Sequence, residues 1–372
     1  MKKYLLVLIA YHLSLITSFA QSGIYHAVVA ADGSGDYTSV QAAIDDVPAG
    51  NLSQYLIYIK AGTYKEHVFI PLEKSRLSLI GEDAGRVVIA DDKKSGGPDA
   101  VPVDLGATVV IHANDVTLQG ISFVNTYGVE TEDGPQALAL YVKGDRIAID
   151  HCNILSYQDT YRTSEADNGR NYVSNSTILG AVDFIYGNGN AWIEKCVIKV
   201  NRKSGGWIVA PKHRPETRWG YVFNNCKLTA DGNPAETSIL LGRPWHHQPQ
   251  TVFLNTRSEI TIPAEGWCPH MNGLPSVFAE YNTMDANGNP LDLSKRINRY
   301  YRFNEQRDTI WAVAKNMLTA EEASDYTVEA VMGGDDKWNP DQIFAPDENP
   351  LGYLIIGERR LAVNRYGCFK RD

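Results

Sequence analysis

The sequence predicts an all-β chain, a right-handed single-stranded parallel β-helix with short helical caps at both ends. Three observations predict it. A strand–corner–strand pattern recurs several times. Its spacing varies while its local form stays constant. The intervals between repeats are rich in Gly, Asn and Asp and lack helical period, so they offer no crossover helices for an α/β sheet.

The repeats run Val116–Phe123, Ile147–Ile154, Tyr172–Ile178, Trp192–Ile198 and Tyr221–Leu228. Ile121, Cys152, Ser176, Cys196 and Cys226 hold matching positions, separated by 31, 24, 20 and 30 residues. Each repeat reads as two short strands around a polar corner, where Asn and Asp tolerate left-handed backbone. Cys152, Cys196 and Cys226 then form an inward ladder of small side chains, used for packing rather than for disulfides or metal. No Cys-x-x-Cys or His cluster argues for zinc, and no metal site is expected. Cys268 and Cys368 lie outside this ladder, and spacing does not decide whether they pair.

The ends read differently from the coil. Lys2 and Lys3, the apolar run Tyr4–Ile16 and Ser18-Phe19-Ala20 form a signal-peptide pattern with a cut expected after Ala20. The apolar run is short for a membrane span. Secretion, to the periplasm or beyond, is the expectation. Ser39–Val47 has helical apolar spacing and reads as an N-terminal cap. Thr319 and Glu322 have capping-box spacing, and Gly333-Gly334 marks a stop, so this stretch reads as one or two covering helices. Leu351–Ile356 reads as a strand. The domain reading is a leader at 1–20, a β-helix domain at 21–340 and a C-terminal extension at 341–372 packed on it.

Of 372 residues, 44% are hydrophobic, enough for a sizeable core. With 35 basic against 44 acidic residues the net charge is −9; without Lys2 and Lys3, 33 against 44 leaves −11. Such a chain is a poor general binder of nucleic acid or anionic membrane. A capped solenoid of this kind is expected to be a monomer.

Candidate chemistry concentrates in three segments on successive rungs: Gly134–Leu140, Ser156–Arg162 and Gly180–Gly187. Asp183 sits among apolar neighbours, where an unpaired aspartate is expensive to bury. Asp159 and Asp183 are 24 residues apart, and each follows its repeat marker by seven. Stacked rungs lie about 4.8 Å apart, so the two carboxylates should be neighbours on one face. Like charges that close push their pKa values apart, leaving one carboxyl protonated beside an ionised one.

At these residues the sequence resembles the pectin methylesterase (pectinesterase) family. Val28–Ile44, Ile57–Glu66, Gly120–Leu140, Tyr157–Thr160, Gly180–Gly187 and Leu241–Trp245 are similar to family motifs and follow the family's order. Gly266-Trp267, Glu280-Tyr281 and Gly333–Pro340 continue it, so the resemblance covers roughly 25–340. It implies hydrolysis of methyl esters in homogalacturonan (pectin), giving pectate and methanol. It also implies roles: Asp183 as nucleophile, Asp159 as general acid then base, Gln136 and Gln158 as oxyanion donors, and Arg243 as the partner of Asp183. Trp245, Tyr186 and Tyr161 are expected to border the sugar. Tyr186 stands where the family usually has Phe, and Ala181 where Thr or Ser is frequent. No cofactor is implied. Lys212-His213-Arg214 and Arg218 read equally as a solvated loop or as a positive region receiving galacturonate carboxylates. His246 and His247 read as surface or substrate contacts. The competing functions are a non-catalytic polysaccharide-binding coil, a polygalacturonase and a lyase.

Overall fold

In the computed structural model, which describes residues 23–132 and 134–371, short parallel strands stack into three long sheets of eleven, eight and seven strands. The expected leader at 1–20 lies outside the described residues. One turn of the coil contributes one strand to each sheet. Ile147–Asp150, Asn153–Leu155 and Tyr161–Arg162 form one turn, and Arg170–Ser174, Thr177–Gly180 and Ile185–Gly187 the next. Ile147 pairs with Asn171, Asn153 with Thr177 and Tyr161 with Ile185, so the register is held at all three faces. This is a parallel β-helix, and no described helix exceeds six residues.

The marker positions align as the repeat predicts. Ser122, Asn153, Thr177, Val197 and Lys227, each one residue past its marker, are successive partners across one sheet. One residue before each marker the chain turns through the left-handed region, at Gly120, His151, Asn175, Lys195 and Asn225, with φ between 48° and 71°. That corner sends the marker side chain inward. Cys152, Cys196 and Cys226 are 1% exposed and unpaired. Cys268 and Cys368 are free as well.

The interior is a continuous stack of Val, Ile, Leu and Phe. Phe223 and Phe253 stack at 4.3 Å between ring centroids, and Trp267 stacks on Phe278 at 4.4 Å. The N-terminal helix Val40–Asp45 covers the open end with Val40, Ala43 and Ile44 buried. At the other region Thr319 and Glu322 form the capping box, and the segment makes two short helices, Ala320–Ser324 and Val328–Met332. The tail forms a hairpin, Gly352–Ile356 with Arg359–Val363, and its Leu354, Val363 and Phe369 pack against Tyr25, Leu56 and Tyr58.

Candidate active site

The seven-stranded sheet carries the candidate residues, several of them just before its strands. Gln158 bridges Val182 in parallel, the Asp159 amide donates to the Val182 carbonyl at 3.1 Å, and the Asp183 amide to the Trp207 carbonyl at 2.8 Å. Asp159 and Asp183 are therefore ladder neighbours, one step of about 4.8 Å apart. Both adopt left-handed backbone, φ 63° and 50°. The Ala137 amide donates to the Gln158 carbonyl at 3.1 Å, which sets Gln136 beside Gln158 one rung earlier. Both glutamines are half-buried. Gln136 is braced from outside the sheet: its carbonyl accepts from the Ser95 amide at 2.7 Å, and a Cβ on Gly96 would fall 1.6 Å from its Oε1.

Arg243, on the rung two steps beyond Asp183, reaches back to it. Its Nε donates to Asp183 Oδ1 at 2.9 Å and to Oδ2 at 3.1 Å, and Nη2 also donates to Oδ2. The guanidinium lies on the Trp207 ring, 3.8 Å from its centroid. Asp183 is thus held in a fork that favours its ionised form. Burial works the other way and leaves its carboxyl above the ordinary range, with Arg243 limiting the rise. Asp159 is pushed well above that range, first by burial and then by the charge of Asp183, and Tyr186 donates a hydrogen bond to it. The asymmetry is physical: Asp183 owns the close guanidinium, while Asp159 faces a like charge.

Trp245 stands at the edge of this face, its ring 5.6 Å from that of Tyr186. Lys212 lies over Trp245 at 5.6 Å and donates to Glu165 at 2.9 Å. Glu165 also accepts from Arg162 and from the Tyr141 hydroxyl. Arg162 in turn sits over Tyr141 and Tyr186, at 4.6 and 5.6 Å. Trp207, Arg162, Tyr141 and Glu165 were not among the expected site residues.

One expectation needs correction, and one open reading narrows. Tyr161 does not reach the outer face of the sheet. Its side chain is fully buried in the core, with its hydroxyl 3.3 Å from Asn171 Oδ1; the next residue, Arg162, takes the outward place. His213 adds no positive charge. It is buried against Tyr221, its Nδ1 accepts from the Gln250 amide at 3.0 Å, and burial lowers its pKa to about 3. Lys212 and Arg214 are paired with Glu165 and Asp167. That leaves little of a free positive patch on the Lys212–Arg214 segment.

A family model described as Pectinesterase matches residues 26–335. The chain belongs to the pectinesterase family. It is 31% identical over 328 residues to a pectinesterase of Petunia integrifolia, covering 84% of this chain and 81% of that one. It spans about half the length of other curated relatives, named Probable pectinesterase/pectinesterase inhibitor 35 and Probable pectinesterase/pectinesterase inhibitor 13, of Arabidopsis thaliana. Among solved structures, the pectin methylesterase from carrot superposes with a TM-score of 0.73 at 27% identity, covering 87% of this chain and 97% of that chain. A pectin methylesterase in complex with a hexasaccharide superposes at 0.63 with 25% identity, covering 85% of this chain and 98% of that chain. In this pectinesterase the hydrogen-bonded pair Asp183–Arg243, the neighbouring Asp159 and the two glutamines lie on neighbouring rungs of one sheet.

Proposed function

We propose that this chain removes methyl groups from methyl-esterified homogalacturonan through an aspartyl acyl-enzyme. Asp183 attacks the ester carbonyl carbon, and the carbonyl oxygen becomes an oxyanion that accepts from the Gln136 and Gln158 amides. Asp159 gives its proton to the departing methoxide, which leaves as methanol. The anhydride between Asp183 and the galacturonate is then hydrolysed by a water whose proton returns to Asp159. Arg243 keeps Asp183 ionised and aimed, and Trp245 and Tyr186 border the sugar. The observation that carries this reading is the ladder adjacency of Asp159 and Asp183 with only Asp183 forked by an arginine.

The test incubates highly esterified pectin with the protein and measures methanol, new reducing ends and unsaturated ends. Methanol alone supports the esterase. Reducing ends indicate a glycosidase, unsaturated ends a lyase, and binding with no product a non-catalytic coil. Asp183→Asn should abolish methanol release while the circular dichroism spectrum and Tm hold; substantial residual turnover removes Asp183 from the nucleophile role. We also read the chain as exported, on the leader pattern at 1–20, and as a monomer. No described helix is long and apolar enough to cross a membrane.

A further inference from the structure

The catalytic sheet does not stop at its last named strand, Ser238–Gly242. The Leu241 amide donates to the Gly266 carbonyl and the Cys268 amide to the Gly242 carbonyl, both at 2.9 Å, so residues 266–270 add a rung. His270 then bridges Tyr301 in parallel, and the Tyr301 amide donates to the Pro269 carbonyl at 3.0 Å. Tyr301 belongs to the strand Arg299–Phe303, which pairs antiparallel with Thr309–Val313. This hairpin therefore continues the ladder that carries Asp159 and Asp183. From the Ile185–Gly187 strand it is five ladder steps to the Thr309–Val313 strand, roughly 24 Å.

Side-chain alternation fixes which way the hairpin faces. Tyr300 is fully buried and meets Phe278 edge-on in the coil interior, so Tyr301 points outward, to the same side as Arg162 and Tyr186. Its outward neighbours form an aromatic plate. Phe303 is 55% exposed, Trp311 52% and Val313 71%. Tyr301 lies 4.9 Å from Trp311 and 5.8 Å from Phe303, with His270 at 4.8 Å. Arg299 lies over Trp311 at 4.8 Å. A contiguous exposed apolar surface of this kind marks an interaction site.

We propose that the outer face of the Arg299–Val313 hairpin is a distal platform for the same galacturonan chain whose ester is cleaved at Asp183. The inference rests on the esterase reading. Its ligand chemistry follows from the surface: flat aromatic rings suit the C–H faces of successive sugars, and Arg299 adds a cation for a free galacturonate carboxylate. The plate lies in line with the tyrosines and Trp245 along the coil, so one extended polymer reaches both. A short oligomer engages the reactive rungs alone.

The test compares Trp311→Ala/Phe303→Ala with the unaltered chain on two substrates, long highly esterified pectin and methyl-esterified trigalacturonate. Methanol release is followed on both. The double variant should raise KM for the polymer about tenfold, leave kcat unchanged, and leave both constants for the trimer unchanged. Unchanged trimer kinetics show that the variant is folded. An unchanged polymer KM overturns the platform. So does gel filtration in which the unaltered chain is a dimer and the variant a monomer, because the face then serves a second copy. Failure of the unaltered chain to release methanol from either substrate overturns the esterase reading instead.

Discussion

Asp159 and Asp183, the proposed acid and nucleophile, both take left-handed backbone, which Asp adopts more readily than most residues other than Gly. Burial and the neighbouring charge raise the Asp159 carboxyl above its ordinary value near 3.8. In the unfolded chain it ionises near that value, so between the two pKa values the folded state holds the extra proton. Stability from this site is therefore full below pH 4 and declines as pH rises through the folded value. Asp159→Asn, which mimics the protonated form, should match the unaltered Tm at low pH and exceed it increasingly toward neutrality. A Tm difference that stays constant with pH counts against a raised Asp159. Gln136→Ala should lower kcat about 10²-fold, with an intact acyl-transfer pair but one oxyanion donor fewer; methanol release at saturating pectin measures it. The pair was legible in the sequence because both aspartates keep a seven-residue offset from the inward marker. The expectation for Tyr161 rests on resemblance alone; in the strand Tyr161 pairs with Ile185, both side chains entering the core, while Arg162 beside it faces out. Trp207 gave no signal, since its place beneath Arg243 depends on an irregular register between Ser204 and Trp207.

At the level of elements, the coil is sealed at its first end by a helix anchored from another strand. The Glu66 carboxylate accepts from the Ser39 hydroxyl at 2.7 Å and from the Val40 and Gln41 amides at 2.8 and 3.0 Å. An anion there satisfies orphan amide donors and complements the helix dipole. Gln41 in turn accepts from the Phe69 amide at 2.7 Å and donates to the Phe69 carbonyl at 3.1 Å, which closes the edge strand of the seven-stranded sheet. Glu66→Ala should cost about 2 kcal/mol in urea denaturation. A loss below about 0.5 kcal/mol shows that the cap stands without it. The helix itself was readable from apolar spacing. Its cap was not, because the partner lies 25 to 27 residues away, across two strands. The corners were readable in kind. Asn fills the left-handed place at Asn175 and Asn225 and His at His151, all residue types enriched there, while Lys195 fills it against its usual preference.

Over the whole molecule, the covering segments are tied to the rungs by few but dense contacts. Arg170, 7% exposed, donates to Asp145 at 2.7 and 3.0 Å, to Asp336 at 2.8 Å, and to the Met332 and Gly333 carbonyls at 3.1 Å. Arg170→Ala removes these bonds, leaves Asp145 and Asp336 to Arg146, which also pairs with both, and should cost about 2 kcal/mol. Hydrogen exchange should then rise first in residues 328–345; uniform loosening along the chain contradicts this local role. The solenoid was visible in the sequence because its register repeats. The seal was not: Gln119 holds the Phe369 amide and carbonyl at 3.2 Å across 250 residues, and no local pattern encodes such a pairing. The stacked thiols have a practical consequence. Burial pushes Cys152 and Cys226 up to about 12, and Cys196 rises for the same reason, so all three resist alkylation while the coil is closed. With Cys268 and Cys368 both replaced by Ser, the time course of thiol labelling in mild denaturant becomes a clock for unzipping, reporting when each of the three thiol-bearing turns first lets water in.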